Sequence, residues 1–190
     1  MGREFELKYE ASPEVLEKIR EKYGDFTEIS METTYYDTPA LDLRQRRWTL
    51  RRRMENGRSV CTVKIPLGDG SRGEWEEESA DLAAGAAGLC EAGAPKEIVN
   101  YVNQGVRPFC GARFTRLAKT IALSGGSVEL ALDRGVLLGG GKELPFAEAE
   151  VELKSGSDHT ALSFAEALAK EFALKPQPKS KLARAMALTE

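Results

Sequence analysis

Histidine and cysteine are scarce in this chain of 190 residues. It has one histidine, His159, and three widely spaced cysteines, Cys61, Cys90 and Cys110. An odd number of cysteines without a paired motif indicates reduced thiols, as in the cytoplasm, rather than disulfides or a zinc site. A single histidine argues against imidazole metal sites and against Ser-His-Asp catalysis. We therefore expect any chemistry to depend on carboxylates, lysine and arginine, and we expect His159 only to begin a helix.

Long apolar runs and a strong net charge are also missing. No segment approaches the roughly 18 apolar residues that span a bilayer, and the N-terminus lacks the apolar core of a secretory signal. The net charge of −3 gives no global basic field for nucleic acid. A hydrophobic content of 42% with 30% charged residues is typical of a globular protein. These features predict one cytoplasmic domain, residues 1–190, without a membrane partner or a specific nucleic-acid partner.

Helix and strand patterns are easily separated along the chain. Segment 12–24 predicts a helix that begins at Ser12, has Pro13 in its first turn and ends at Gly24. Alternating polar and apolar residues predict strands at 2–10, 31–38, 47–57, 58–68, 72–79, 112–123, 127–138 and 146–156, with a turn at 68–71. The remaining helical segments are 80–106, which fits one or two short helices, 158–174 and 179–190. The pattern predicts an α+β fold dominated by antiparallel strands.

One face of most predicted strands carries only charged or polar side chains. In the first strand, Glu4, Glu6 and Lys8 alternate with Phe5 and Leu7. The same alternation groups later residues on single faces: Arg51 and Arg53; Thr62 and Lys64; Arg72, Glu74, Glu76 and Glu78; Arg116 and Thr120; Glu129 and Asp133; and Glu148, Glu150 and Glu152. One such strand is typical of a protein surface. Repeated through the domain, with acidic and basic strands sorted separately, the pattern indicates charged faces that line a channel and apolar faces that helices cover.

The two kinds of charge indicate a particular class of ligand. Carboxylates without histidine or cysteine suit hard divalent cations such as Mg²⁺ and Mn²⁺. Arginine and lysine suit phosphate oxygens, which arginine can bind in a bidentate manner. A channel that holds both sets would fit a metal-bound polyanion such as a triphosphate.

Several short motifs occur in an order that resembles a known family. The first strand carries the E-x-E-x-K signature of the CYTH domain, the triphosphate tunnel metalloenzyme family. The further matches are YYDT at 35–38, LRRR at 50–53, TVK at 62–64, the Arg72, Glu74 and Glu76 strand, FTR at 114–116, LALD at 130–133, EAEVELKSG at 148–156 and KSKLAR at 179–184. The resemblance covers essentially the whole chain, and ELKSG followed by a helix and SK-xx-R is most similar to the bacterial inorganic triphosphatase branch. It implies an eight-stranded antiparallel β-barrel, or tunnel, with helices packed outside.

The resemblance also implies roles for individual residues. Metal binding would fall to Glu4, Glu6, Glu148 and Glu150, with Asp133 either a further ligand or the cap of a turn at Gly135. Phosphate binding would fall to Lys8, Arg51, Arg53, Lys64, Arg72, Arg116 and Lys181. The catalytic set would be Glu6, Glu150, Lys8 and Arg51. Phe114 stands where some members have a basic residue, so one phosphate contact of the family is absent here.

The implied activity is metal-dependent hydrolysis of inorganic triphosphate to diphosphate and phosphate, with Mg²⁺ or Mn²⁺ as cofactor. Alternatives on the same tunnel are a class IV-type adenylate cyclase and a nucleoside or thiamine triphosphatase. An alternative of another class is a polyphosphate-binding module without turnover. Nothing in the sequence identifies an adenine or thiazole pocket, and we expect Tyr35, Tyr36 and Trp75 to serve packing. The partner is a triphosphate-containing small molecule, the protein a monomer or homodimer, and regulation by the C-terminal helical domain often fused in this branch is not expected.

Overall fold

The structure is a computed structural model that describes residues 2–68 and 71–190. The turn predicted at 68–71 lies partly outside these residues. The strands are β1 Gly2–Glu4, β2 Glu6–Glu10, β3 Thr27–Asp37, β4 Thr49–Glu55, β5 Arg58–Pro66, β6 Arg72–Glu78, β7 Arg107–Leu123, β8 Gly126–Gly139, β9 Lys142–Gly156 and β10 Lys175–Pro176. The helices are α1 Pro13–Tyr23, α2 Asp42–Gln45, α3 Leu82–Glu91, α4 Glu97–Gly105, α5 Asp158–Phe172 and α6 Lys181–Ala187. The α+β fold with antiparallel strands is confirmed.

Local signals in the sequence account for the helix ends. The Ser12 hydroxyl accepts a hydrogen bond from the backbone N–H of Val15 at 3.3 Å, and Pro13 occupies the first turn of α1. The helix ends at Gly24, whose φ of 54° a glycine adopts without strain. The prediction for this helix is therefore confirmed.

The short helix α2 was missed by the sequence analysis. It is held by the buried carboxylate of Asp37, which accepts hydrogen bonds from the backbone N–H groups of Thr38, Leu43 and Arg44 at 2.8, 3.0 and 3.1 Å. A side chain that caps backbone groups six and seven residues away leaves no periodic pattern, so hydrophobic periodicity could not reveal it.

The sheet has the order β1-β6-β5-β4-β3-β7-β8-β9-β2-β10, with neighbours antiparallel. This is an open order of ten strands rather than the closed order of eight that was expected. The predicted first strand is divided at Phe5, with β1 paired to β6 and β2 paired to β9. One residue thus joins strands at opposite ends of the sheet order. Counting β1 and β2 as one strand and leaving aside the two-residue β10 gives eight.

Helices cover the outer, apolar faces of the strands in two clusters. Helices α1 and α5 pack on β2, β8 and β9 around Ile19, Leu130 and Val151, while α3 and α4 pack on β4–β6 around Leu50 and Leu89. Because alternate residues of a strand face opposite sides, this packing leaves the charged residues on the inner side of the sheet. Helix α6 packs on that inner side of β7 and β8, in a third cluster with Met31, Phe114, Leu137 and Phe146.

Two further findings concern the described residues as a whole. None of their helices combines the length with the apolar character that a bilayer crossing requires. The thiols of Cys61, Cys90 and Cys110 are all free.

Candidate active site

A cavity of about 680 Å³ lies against the charged faces of the strands. Among the described residues, eight cationic side chains line it, namely Lys8, Arg51, Arg53, Lys64, Arg72, Arg116, Lys154 and Lys181. Nine acidic side chains of the same described set line it as well, namely Glu4, Glu6, Glu55, Glu74, Glu76, Glu129, Glu150, Glu152 and Asp158. Near-equal numbers of opposite charges allow so many ionised groups to lie together, because each can be paired.

The cavity brings together most of the residues that were predicted to act. All seven predicted phosphate-binding residues line it, as do the predicted carboxylates Glu4, Glu6 and Glu150. Asp133 and Glu148 do not line it although they share the inner strand face with Arg116 and Glu150, because both are fully buried where α6 packs on β7 and β8. The alternative role of Asp133 as the cap of a turn at Gly135 is wrong, since both residues lie within the continuous strand β8.

Where α6 covers this inner face, the carboxylates of Asp133, Glu148 and Glu150 converge. Oxygens from the three groups lie within 4.8 Å of one another. The Lys181 ammonium lies among them, with its Nζ 2.6 Å from Asp133 Oδ2 and 2.7 Å from Glu150 Oε1, and it also contacts Glu148. Helix α6 delivers this lysine because Ser180 caps the helix, accepting a hydrogen bond from Ala183 N–H at 3.1 Å.

Two arginines complete the network around this acidic trio. Arg116 donates to both carboxylate oxygens of Asp133, from Nε at 2.8 Å and from Nη2 at 2.7 Å, and to Glu150 at 2.5 Å. Arg184 pairs with Glu148. Three cations therefore face three carboxylates, and bidentate contacts of this kind are the strong ones.

The pKa shifts in this network follow from burial and pairing. Burial alone would raise the pKa of Glu150, but Lys181 and Arg116 outweigh it and hold that pKa well below its usual range. Burial would lower the pKa of Lys181, but Asp133, Glu150 and Glu148 raise it. Both groups are therefore charged at neutral pH.

On the wall formed by β4, β5 and β6, Arg51 and Arg53 are more loosely paired than Lys64, whose Nζ contacts Glu4 and lies 3.2 Å from Glu74. Arg51 Nη2 lies 3.6 Å from the carboxylates of both Glu74 and Glu76. Arg53 donates to Glu55 at 3.2 Å and to the Thr33 hydroxyl at 3.3 Å. Burial, with the like charges of Arg51 and Arg116, lowers the pKa of Arg53.

The N-terminal segment supplies the acidic residues of the family motif. Glu6 accepts a hydrogen bond from Lys8 at 2.8 Å, and Glu4 of β1 forms an ion pair with Lys64 of β5. Neither carboxylate belongs to the Asp133, Glu148 and Glu150 trio. The structure therefore divides the predicted metal ligands into two groups. Glu4 and Glu6 line the cavity, whereas Asp133 and Glu148 are buried beneath α6 together with Glu150, which also reaches the cavity.

Strand β3 differs from the expectation that inner faces are charged. Ile29, Met31 and Tyr35 present an uncharged surface to the cavity, and Tyr35 was expected only to pack. Tyr36 and Trp75 do pack, in the cluster beneath α3 and α4.

Some lining residues were missed by the sequence analysis. Lys154 Nζ lies 2.9 Å from Glu152 and 3.9 Å from Glu129. The signal was available, because Lys154 continues the alternation of Glu148, Glu150 and Glu152 along β9.

The residues present fit a hard divalent cation. Every candidate donor is a carboxylate oxygen, the ligand that Mg²⁺ and Mn²⁺ prefer, and three such groups already converge on one point. A buried oxygen of Glu148, Oε1, accepts no well-aligned hydrogen bond although the Lys181 ammonium contacts it. Such an oxygen retains coordinating capacity.

This chain belongs to the CYTH domain family, whose model matches residues 2–186. It is 28% identical over 181 residues to the inorganic triphosphatase of Haemophilus influenzae, covering 88% of this chain. The chain spans about half the length of that relative, 50%.

Solved structures share the fold. A protein from Hippeastrum, provisionally assigned as an adenylyl cyclase but with a dominant triphosphatase activity, has a TM-score of 0.71 at 19% identity, covering 100% of this chain and 97% of that one. A protein from Bacillus halodurans, provisionally assigned as an adenylate cyclase, has a TM-score of 0.68 at 21% identity, covering 95% and 96%.

Proposed function

We propose that this protein hydrolyses inorganic triphosphate to diphosphate and phosphate in the cavity, with Mg²⁺ or Mn²⁺ as cofactor. The observation that carries the proposal is the set of eight cations that the described residues place around the cavity, seven from strands and Lys181 from α6, close to carboxylates from several strands. Such a set neutralises a polyanion and places it beside oxygen ligands for a metal. The curated relative named an inorganic triphosphatase supports the same substrate.

We further propose that the sheet wraps into a tunnel around this cavity. The support is the position of Phe5, the single residue between β1 and β2, which pair with β6 and β9 at opposite ends of the sheet order. The Phe5 carbonyl accepts a hydrogen bond from Leu153 N–H at 2.9 Å, which continues the pairing with β9 across the break.

The chain's own residues would divide the work by position. Arg51, Arg53 and Lys64 would bind phosphate oxygens from one wall, and Arg116 with Lys181 from the other. Phosphoryl transfer depends mainly on such positioning and charge neutralisation. The candidate ligands of the metal are Glu4, Glu6, Glu148, Glu150 and Asp133. When bound, the metal would supply Lewis-acid polarisation of phosphate oxygens and would make a water more acidic.

The proton of the attacking water needs a carboxylate that can accept it. The lowered pKa of Glu150 suits charge stabilisation better than proton transfer. Glu152 lines the same cavity on the same strand face, and burial raises its pKa although Lys154 opposes the shift. Glu152 is therefore the better placed acceptor on β9.

The experiment is phosphate release from tripolyphosphate, ATP and thiamine triphosphate, with Mg²⁺, Mn²⁺, Ca²⁺ or excess chelator. We expect tripolyphosphate to be preferred, Ca²⁺ to support turnover poorly because of its looser coordination, and chelator to abolish it. Cyclic AMP formed from ATP would favour a cyclase instead. Binding of tripolyphosphate without release would favour a non-catalytic module.

A pair of variants on β2 tests the role of Glu6 in the cavity. Glu6→Gln keeps the side-chain size but removes a charge from the cavity, so we expect turnover to fall by on the order of a hundredfold. Glu10→Gln is the matched control, because Glu10 lies on the same strand but outside the cavity, where its exposed carboxylate accepts a hydrogen bond from Gln177 at 2.9 Å. Equal turnover in both variants would contradict a role for Glu6 in the cavity.

A further inference from the structure

Two phenylalanine rings meet beside the acidic trio, under α6 and across three strands. Phe114 of β7 and Phe146 of β9 are both paired in register with Gly135 of the intervening strand β8. A Cβ on Gly135 would lie 2.5 Å from Phe114 Cβ and 2.1 Å from the carbonyl oxygen of Arg113. The absent side chain leaves room for the rings, whose centroids are 5.6 Å apart at an interplanar angle of 67°. We refer to Phe114 and Phe146 as the ring pair.

Three cations of the acidic network stand against this ring pair. Lys181 Nζ lies 5.1 Å from the centroid of Phe114 and 5.5 Å from that of Phe146. The guanidinium carbon of Arg116 lies 5.9 Å from the Phe114 centroid, and that of Arg184 lies 5.4 Å from the Phe146 centroid. All these distances fall within the range of cation–π attraction. The rings are 6% and 8% exposed and do not line the cavity, so they act through the cations.

The rings provide something that a further carboxylate could not. A buried ammonium needs compensation for its lost hydration, and the negative face of a ring provides attraction without a countercharge. A carboxylate in the same place would neutralise the cation and repel an incoming polyanion. Lys181 is thus held between the acidic trio and the ring pair. Among its described contacts the trio carries the negative charge, so a bound polyanion competes with these carboxylates, and not with the rings, for the ammonium.

We propose that the ring pair positions Lys181 and Arg116 for the polyanion, and thereby sets the affinity of the site for it. This inference rests on the proposed function for its substrate. Phe114 and Phe146 are positioning residues, since neither touches the cavity. The pair contacts two cavity cations through Phe114 and one through Phe146, so Phe114 has the larger influence.

The chain contains a matched control for this pair. Tyr23 and Phe164 form a second edge-to-face contact, with centroids 6.0 Å apart at the same interplanar angle of 67°. This contact lies at the cluster of α1 and α5, and neither residue lines the cavity. Phe164→Leu therefore reports what the loss of an edge-to-face contact does to stability alone.

The first test compares Phe114→Leu, Phe146→Leu and Phe164→Leu, which remove a ring but keep an apolar side chain. We expect the KM for tripolyphosphate to rise about tenfold in Phe114→Leu and less in Phe146→Leu, with kcat changed by less than about threefold. Phe164→Leu should lower the melting temperature and leave KM unchanged. A KM that is unchanged in all three variants would overturn the proposal and leave the ring pair a packing contact.

The second test changes the ring's electrons without removing the ring. Phenylalanines with one, two and three ring fluorines are placed at position 114, and the KM for tripolyphosphate is measured for each. Since fluorine withdraws charge from the ring face, KM should rise stepwise with each substitution, whereas packing alone would give no such trend. A KM independent of fluorine number would contradict the proposal.

A third readout separates failure of this inference from failure of the proposed function. Lysine labelled with ¹³C allows the ε-methylene of Lys181 to be observed by NMR, with Lys181→Arg used for assignment. An upfield ring-current shift that disappears in Phe114→Leu would establish that the ring pair holds Lys181, even if tripolyphosphate were not hydrolysed. Hydrolysis with no such shift would support the proposed function and overturn the role of the ring pair.

Discussion

The two basic walls of the cavity hold their cations in different ways. On the wall of β7, β8 and β9, Arg116 and Lys181 contact buried carboxylates at 2.5 to 2.8 Å. On the wall of β4, β5 and β6, Arg51 is 3.6 Å from its acidic partners, and the pKa of Arg53 is lowered by burial and by neighbouring arginines. We refer to these as the paired wall and the open wall.

The difference indicates a division of labour. The paired wall is internally compensated, so it stabilises the fold and presents cations in fixed positions. On the open wall, Arg51 and Arg53 carry positive charge that the neighbouring carboxylates compensate less closely, so a polyanion gains most at these two arginines. A buried pair is costly to break, and a loosely paired cation costs little to rearrange. Variants on each wall test whether the paired wall stabilises the fold and the open wall binds the polyanion.

The largest effect should come from Asp133→Asn on the paired wall. Asp133 is 0% exposed and binds both Arg116 and Lys181, so removal of its charge leaves two buried cations poorly compensated. We expect the free energy of unfolding to fall by about 3–5 kcal/mol. Urea denaturation measures this quantity.

The control for Asp133→Asn is Glu78→Gln, in the exposed pair of Glu78 with Arg58 at 2.6 Å. It should leave the urea midpoint unchanged, because both partners are exposed to solvent. If Asp133→Asn were equally harmless, the paired wall would not stabilise the fold.

A smaller effect is expected from Arg53→Met on the open wall. Tripolyphosphate with Mg²⁺ at a hundredfold excess over Kd should stabilise the wild type by about 2.7 kcal/mol. Arg53→Met should lose most of this gain but unfold no more readily without ligand, because the change removes a charge that Arg51 and Arg116 repel. Thermal melts with and without ligand measure both quantities.

Arg52→Met is the matched control for this melt. Arg52 lies on the same strand but does not line the cavity, and its Nε donates to the Ser59 hydroxyl at 2.7 Å. The ligand-induced shift should survive in this variant. Loss of the shift in both variants would show that the response is not specific to the inner face of β4.

The smallest effect should come from Glu76→Gln, also on the open wall. Its carboxylate is half exposed and lies 3.6 Å from Arg51, and a glutamine keeps an oxygen that can accept from the Thr62 hydroxyl. The variant removes a competitor for Arg51, so the KM for tripolyphosphate should fall by about twofold to threefold. Steady-state kinetics at fixed Mg²⁺ check this, and a large rise in KM would instead place Glu76 among the ligands.

Much of the site was predictable because its signals are local. Alternation along a strand separates Arg51 and Arg53 from Leu50, and the structure places the arginines at the cavity and the leucine in the core. The same alternation included Lys154, which was overlooked. Caps such as Ser12 and Gly24 fixed the ends of α1, since a cap acts on backbone groups a few residues away.

Other features depend on which strands become neighbours. Register across three strands sets Phe114 and Phe146 on either side of Gly135. Alternation within any one strand does not predict that these three residues are neighbours. The chain also divides at Phe5 to pair with two different strands, which a single run of alternating residues does not reveal.

The sequence alone was enough to predict most of the strands and helices, the charged faces and the order of the family's motifs, because alternation, caps and short motifs are local properties of the chain. Which opposite charges meet depended on the tertiary structure, which buries Asp133 and Glu148 beneath α6 and brings Lys181 of that helix among them. Electrostatic partners are chosen by distance in space, and strand register together with helix packing sets that distance across separations of more than thirty residues.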